Sequence, residues 1–169
     1  NIQVMAPAII VDHAGMPGMF TTGVQSGPQL FYNRIKHGVT ILATGAEEHR
    51  PTEYLYEEDE RVCTQLELEE RLAAAGAEGL QGIRRVVMIQ CVGCREEGRD
   101  YCARICCSQA VKNALALKAR DPETDISILY RDMRTYGFKE DYYRKAAEQG
   151  VRFVRWEPEE RPEVEPGKD

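Results

Sequence analysis

Strand-like and helix-like segments alternate along residues 86–155, and this alternation restricts the chain to few folds. Three apolar runs, Val86–Ile89, Ile126–Tyr130 and Val151–Arg155, have the length and composition of β-strands. Between them lie two segments with the apolar spacing of helices, one ending near Arg120 and one over Lys139–Gln149. Because strands joined by helices form right-handed crossovers, we predict an α/β, three-layer Rossmann-like domain with a mostly parallel sheet.

The residues before this domain predict smaller elements. Residues 1–35 contain short apolar runs broken by glycine and proline, which is the pattern of short β-strands and turns. The run GVTILATG over residues 38–45 predicts a buried strand that ends in a turn of small residues. Thr64 and Glu67 fit a capping box, in which each side chain accepts a hydrogen bond from the backbone amide of the other. The helix that follows them is predicted to stop at Gly76.

Charge and composition exclude several classes of protein. The 169 residues are enough for a domain with a core, and their net charge is −6 with a pI of about 5.2. Since phosphate binding needs a basic face, we expect no nucleic-acid partner. The sequence has no apolar run long enough to span a membrane and no basic segment of the kind that opens a signal peptide. We therefore expect no membrane span and a cytoplasmic location.

The stretch QCVGCREEGRDYCARICC, from Gln90 to Cys107, holds five of the six cysteines. It leaves the C-terminal end of the first predicted strand of the α/β domain and enters the first predicted helix. Open α/β sheets bind their ligands at this place, and a dinucleotide-binding domain has a G-x-G-x-x-G loop there. This stretch contains no such loop. The position therefore predicts a site that is built from sulfur.

Sulfur chemistry leaves several functions open for this stretch. Thiolates suit zinc, copper(I) and iron–sulfur clusters, and a [4Fe–4S] cluster takes four of them. The charged residues between the cysteines argue against a passive place in a core. The alternatives are a cluster that transfers electrons, a structural zinc site in an α/β interaction module, and a redox-active dithiol. The candidate metal ligands are Cys91, Cys94, Cys102, Cys106 and Cys107.

Helical geometry limits how the last three of these cysteines can meet one centre. Cys102 and Cys106 share a helix face if the helix begins near Asp100. On a regular helix, Cys107 points about a hundred degrees away from Cys106. The adjacent pair can therefore bind one centre only if the helix starts at or after the pair, or is distorted.

The cysteine stretch and the residues after it, QCVGCREEGRDYCARICCSQAVKNA, resemble the signature of the A subunit of heterodisulfide reductase and its relatives. The similarity continues in HGVTILATGAEEHRPTEYLY, TQLELEERL and ISILYRDMRTYGFKEDYYRKAAEQGVRFVRW, and it covers about Gly38 to Glu165. The resemblance implies a thioredoxin-reductase-like architecture, in which a second nucleotide-binding-like domain is inserted into an FAD-binding domain.

The resemblance also implies a function in the redox metabolism of anaerobes. The family carries iron–sulfur clusters and works inside multi-subunit complexes that move electrons among FAD, ferredoxin-like carriers and disulfides. In methanogens the substrate is the heterodisulfide of coenzymes M and B. The partners that the resemblance implies are the other subunits of a reductase complex and ferredoxin-like or hydrogenase-type electron carriers.

Site residues follow from the same resemblance. Cys91, Cys102, Cys106 and Cys107 fall on the family's cysteine positions, which are taken to hold a [4Fe–4S] cluster. Cys94 falls where the family often has serine, so this fifth sulfur is a spectator, an alternative ligand or an oxidation partner. The turn Ala43, Thr44 and Gly45 resembles the A-T-G turn near the FAD in two-dinucleotide flavoproteins. From the residues alone, a simple strand-to-loop turn remains the alternative.

The resemblance also suggests a division of the chain. Residues 1–46 correspond to the C-terminal part of an FAD-binding segment, residues 47–82 to a connecting loop and helix, and residues 83–156 to the βαβαβ domain with the cysteines. Residues 157–169 form an acidic linker. The family's G-x-G-x-x-G and its closing FAD strand are missing. We therefore expect a fragment that binds FAD poorly and is inactive as an enzyme by itself.

Overall fold

The computed structural model of the protein describes residues 2–74 and 82–167, and the chain forms two compact units, Asn1–Glu47 and Glu48–Asp169. The first unit contains an antiparallel sheet of β1 (Ala8–Met16), β2 (Met19–Ser26) and β3 (Phe31–His37), in this order. The predicted strands and turns of residues 1–35 are confirmed.

Side chains of the middle strand link this sheet across its width. The hydroxyl of Thr22 lies 2.7 Å from a ring nitrogen of His13 on β1 and 2.7 Å from a ring nitrogen of His37 on β3. Asp12 on β1 accepts a hydrogen bond of 2.9 Å from the hydroxyl of Tyr32 on β3. These contacts add side-chain hydrogen bonds to the backbone pairing of the three strands.

The prediction of a buried strand over residues 38–45 is wrong. The segment is irregular, and its apolar side chains at Val39, Ile41 and Leu42 are exposed. A strand forms only where a neighbouring strand accepts its backbone hydrogen bonds. The amide of Gly18 donates to the carbonyl of Gly38 (2.8 Å), but beyond this contact no described strand pairs with the segment. The apolar run alone is therefore not sufficient to make a strand.

The second unit begins with turns and the helix α1 (Gln65–Ala74). The predicted capping box at its start is confirmed, because the amide of Glu67 donates to the Thr64 hydroxyl (3.2 Å) and the amide of Thr64 donates to the Glu67 carboxylate (2.8 Å). The predicted helix stop at Gly76 lies outside the described residues.

The rest of the second unit is the predicted β–α–β–α–β arrangement. It contains β4 (Arg85–Ile89), α2 (Cys106–Arg120), β5 (Asp125–Tyr130), α3 (Lys139–Glu148) and β6 (Arg152–Arg155). The sheet is parallel with the order β4-β5-β6. The prediction of an α/β fold with a parallel sheet is confirmed. In the part of the chain that the structure describes, no helix is long and apolar enough to cross a membrane.

The core of the second unit lies between its sheet and the helices α2 and α3. One cluster of buried side chains joins strand, helix and loop residues: Met88, Ala110, Val111, Ala114, Leu117, Ile126, Ile128, Ala146 and Val151. The three alanines in this cluster let the helices approach the sheet closely. The opposite face of the sheet exposes Val87 (61%) and Val154 (46%). The packing of α2 against β4 and β5 fixes the position of the loop that joins β4 to α2.

Candidate metal centre

The loop between β4 and α2 carries the cysteine stretch, at the C-terminal edge of the parallel sheet. The amide of Gln90 still donates to the Leu129 carbonyl (2.9 Å), so the sheet pairing ends just before Cys91. Cys91, Arg95 and Arg104 then adopt positive φ angles of 68°, 60° and 62°. Residues other than glycine rarely adopt this conformation, and each costs of the order of 1–3 kcal/mol. Such strain is typical of functional loops, and here it turns the chain around the sulfur atoms.

The start of α2 places the adjacent cysteines. The helix begins at Cys106, so Cys106 and Cys107 lie in its first turn and Cys102 precedes it. Cys102 and Cys106 therefore do not share a helix face, which would have required a helix start near Asp100. The condition that was stated for the adjacent pair is met, because the helix starts at Cys106, the first cysteine of the pair. Because the residues before Cys106 are not helical, the geometry of a regular helix does not restrict how the Cys106 side chain approaches the loop.

The five thiols lie close enough to influence one another. The thiol of Cys106 hydrogen-bonds to Cys107, and this bond raises the pKa of Cys106 and lowers the pKa of Cys107. The charges of Cys91 and Cys94 raise the pKa of Cys106 further. Burial raises the pKa of Cys94, and the charges of Cys91 and Cys102 act in the same direction. The predicted set of cysteines is thus brought together at one place in the structure.

Hydrogen-bond donors surround these sulfur atoms. The amide of Arg104 lies 3.3 Å from the Sγ of Cys102. Backbone hydrogen bonds from Ala103 and Arg134 act to lower the pKa values of Cys94 and Cys107, and the Cys107 thiol itself donates to the carbonyl of Asp132 (3.7 Å). Donors of this kind favour the thiolate form, which is the form that binds metals.

The donor set consists of thiols, which are soft ligands that suit zinc, copper(I) and iron–sulfur clusters. Within residues 2–74 and 82–167, no three cysteine, histidine, aspartate or glutamate side chains are arranged to hold one metal ion. Soft sulfur ligands with amide donors around them are also the environment in which iron–sulfur clusters are found. The residues therefore suit an iron–sulfur cluster by their chemistry.

Arg95 connects this loop to the neighbouring strand. Its Nη1 lies 3.9 Å from the Sγ of Cys91, and its Nη2 lies 2.5 Å from a carboxylate oxygen of Asp132, just after β5. The guanidinium holds the pKa of Asp132 below its usual range. The guanidinium of Arg131 in turn donates to the backbone carbonyl of Arg95. Asp132 follows the second strand of the unit, as a ribose-binding acid would, but in this structure its partner is an arginine.

His49 is a residue of this site that the sequence pattern did not identify. Its imidazole lies against Gly93, and Arg99 Nη1 lies 3.3 Å from its Nε2. The three histidines of the chain are scattered and have no ligand spacing. The only signal in the sequence is Gly93 itself, between Cys91 and Cys94, where a missing side chain leaves space for a neighbour.

Ala43, Thr44 and Gly45 lie in the exposed, irregular segment of the first unit. Gly45 has a φ of 72°, so this position favours glycine. Their role near an FAD stays a prediction.

Comparison with curated proteins identifies similar chains in methanogenic archaea. The chain is 44% identical to the iron–sulfur A subunit of a CoB–CoM heterodisulfide reductase from Methanocaldococcus jannaschii, over 74% of this chain and 21% of that protein. It is 36% identical to the A subunit of a ferredoxin:CoB–CoM heterodisulfide reductase from Methanosarcina acetivorans, over 73% and 20%. It is 42% identical to the A subunit of an H2/formate:CoB–CoM heterodisulfide,ferredoxin reductase from Methanococcus maripaludis, over 73% and 21%.

These matches cover different shares of the two aligned proteins. Roughly three quarters of this chain aligns, whereas the chain spans about a fifth of the length of the curated relatives it matches. No model of a protein family matches the chain. The similarity therefore concerns one region of a longer type of protein.

Proposed function

Because the chain belongs to the family of heterodisulfide reductase A subunits, we propose that it holds a [4Fe–4S] cluster and takes part in electron transfer in a flavin and iron–sulfur oxidoreductase. The observation that carries this proposal is the gathering of five cysteines where β4 ends and α2 begins. The name of the Methanocaldococcus relative, which calls it an iron–sulfur protein, supports the same cofactor.

The proposed ligands are Cys91, Cys102, Cys106 and Cys107. Cys91 and Cys102 come from the loop, and the adjacent pair comes from the first turn of α2. When bound, the cluster supplies one-electron transfer. The chain contributes thiolates, backbone donors to sulfur, and the burial of Cys107, which is 3% exposed. These features hold the cluster in place and influence its reduction potential.

For the whole protein, we propose a function that involves more than the residues of this chain. There, electrons pass between FAD, the cluster and partner subunits, and Ala43, Thr44 and Gly45 lie near the FAD. The names of the relatives mention ferredoxin, H2 and formate, and they support ferredoxin-like or hydrogenase-type partners. We place the protein in the cytoplasm, where thiols stay reduced. The 169-residue chain alone is expected to bind little FAD and to show no reductase activity.

Anaerobic purification tests the cofactor. The expected result is a brown protein with about four iron and about four sulfide per chain, and with visible absorption that dithionite bleaches. A colourless protein that takes up zinc, and that takes up no iron during anaerobic reconstitution, would instead support the structural zinc site. A protein that binds neither metal but forms a reversible disulfide would support the dithiol.

A further inference from the structure

We propose that Arg95, held in place by Asp132, donates a hydrogen bond to the sulfur of Cys91 and thereby raises the reduction potential of the centre at this site. The inference rests on the proposed function, since it concerns the cluster that Cys91 would bind. It assigns a positioning role to Asp132 and a tuning role to Arg95, and neither residue is a metal ligand.

The guanidinium of Arg95 spans two neighbouring strand ends. One of its nitrogens lies 3.9 Å from the Sγ of Cys91, which follows β4, and another lies 2.5 Å from a carboxylate oxygen of Asp132, which follows β5. The two contacts use different arms of the same planar group, so the carboxylate fixes the arm that faces the sulfur. A lysine has one ammonium group and cannot make both contacts in this geometry.

The backbone of Arg95 is also fixed. Its amide donates to the carbonyl of Arg99 (2.6 Å), and its carbonyl accepts a hydrogen bond from the guanidinium of Arg131. Its φ of 60° is one that a residue with a side chain rarely adopts. The loop therefore holds Arg95 in an unfavourable backbone conformation, and this conformation places its side chain between Cys91 and Asp132.

The charge of Arg95 is permanent and poorly exposed to solvent, although the Asp132 carboxylate offsets part of it. A guanidinium stays protonated in proteins, and the Arg95 side chain is only 17% exposed. Reduction adds one negative charge to the thiolate-bound centre, and the electron comes from an external donor such as dithionite. A fixed positive charge and a hydrogen bond to a ligand sulfur stabilise that added charge, and no proton needs to move. The reduced form is therefore favoured, which means a higher potential.

Arg99 offers a matched control in the same loop. Its guanidinium contacts His49 and none of the described sulfur atoms. The substitution R99Q removes the same charge as R95Q, but it leaves the contact between Arg95 and Cys91 in place. The comparison separates the specific contact from the general effect of one positive charge fewer.

The test is an EPR-monitored redox titration of the full 169-residue chain after anaerobic reconstitution, with iron content measured for each variant. We expect R95Q to keep its iron and to have a more negative midpoint potential than both the unsubstituted protein and R99Q. R95K keeps the positive charge but not the two-armed guanidinium. We expect its midpoint potential to lie between those of the unsubstituted protein and R95Q. Equal potentials in R95Q and R99Q would overturn the inference while leaving the cluster in place. An unsubstituted protein that takes up no iron would instead overturn the proposed function.

The role of Asp132 is tested by combining substitutions. In the R95Q background, D132N removes only a negative charge and should raise the potential. In the protein with Arg95 intact, D132N also releases the guanidinium, so the rise should be smaller or reversed. Equal shifts in the two backgrounds would show that Asp132 does not position Arg95.

If R95Q loses its iron, R95K decides the question. A midpoint potential of R95K equal to that of the unsubstituted protein contradicts the inference, and a more negative one supports it.

Discussion

The imidazole of His49 occupies the space that a side chain at Gly93 would need. A Cβ atom built on Gly93 would collide with the Cδ2 atom of His49, and Gly93 has a φ of 69°. The glycine between Cys91 and Cys94 is thus required both by the turn of the backbone and by the ring packed against it.

We therefore predict that G93A destabilises the protein more than G98A does. Gly98 has a similar φ of 77° but nothing within 4 Å of a built Cβ, so G98A carries only the backbone penalty of about 1–2 kcal/mol. G93A adds the collision with His49. Urea unfolding of the metal-free, reduced protein, followed by the fluorescence of the single tryptophan, Trp156, measures the difference.

The variant H49A separates the two contributions to the cost of G93A. In the H49A background the ring is absent, so G93A should cost about as much as G98A. An unchanged cost of G93A in that background would show that His49 does not restrict this turn.

Features set by local pattern could be predicted from the sequence. The strands and helices of residues 85–155 follow from apolar spacing, and the capping box at Thr64 and Glu67 follows from residues three positions apart. The run over residues 38–45 shows the limit of this reasoning. Its composition favours a strand, but strand formation depends on a partner that the run itself does not specify.

The details of the site depend on contacts that local pattern does not contain. Arg95 and Asp132 are 37 positions apart, and only the parallel pairing of β4 and β5 brings them together. The start of α2 at Cys106 could not be fixed from the sequence, because a helix start depends on backbone angles that helix propensity leaves open. Spacing along the chain identifies the candidate cysteines, and the fold determines which residues surround them.

The capping box predicts a specific dependence of stability on pH. The amide of Thr64 and, to a smaller degree, the hydroxyl of Tyr56 lower the pKa of Glu67 in the folded protein. The contribution of this carboxylate is therefore present above its unfolded pKa of about 4.3, and it is lost as the pH falls through the lower, folded value. Between about pH 5 and about pH 3, which lie on either side of the unfolded pKa, we expect the free energy of unfolding to fall less in E67Q than in the unsubstituted protein.

A suitable control is E70Q, on the same helix. Glu70 is exposed, so E70Q should retain the full pH dependence of the unsubstituted protein. The threonine side of the capping box is tested by T64A, which should cost about 1 kcal/mol at pH 7, whereas T64S keeps the hydroxyl and should cost less. Equal pH profiles for E67Q and E70Q would contradict the role assigned to Glu67.

The core of the second unit covers one face of its sheet. Truncating a side chain on that face should therefore lower the free energy of unfolding more than truncating one on the exposed face. Ile128 on β5 is completely buried against the helices, so I128A should cost about 2–5 kcal/mol of unfolding free energy. Val87 on β4 points to the exposed face, and V87A should cost less than about 1 kcal/mol. Chemical unfolding of both variants, followed by Trp156 fluorescence, measures the contrast. Similar losses would show that both faces are covered in solution.

Cys94 is the one cysteine of the stretch that is not a proposed ligand, and this predicts a difference between two serine substitutions. Cys94 is 7% exposed and accepts a hydrogen bond from the amide of Ala103. By the resemblance described above, we also expect it to stand where the family often has serine, and a serine hydroxyl can accept the same hydrogen bond. We therefore expect C94S to keep the iron and sulfide content of the unsubstituted protein after anaerobic reconstitution.

Cys107 is the matched comparison, because it is also a buried cysteine with a backbone donor, the amide of Arg134. As a proposed ligand, it cannot be replaced by serine without weakening the site, since a neutral hydroxyl is a poor ligand for iron in such a cluster. C107S should therefore lose most of its iron, while the metal-free forms of C94S and C107S should unfold at similar urea concentrations. Equal loss of iron from both variants would make Cys94 a ligand, and the set of four would have to be reassigned among the five cysteines.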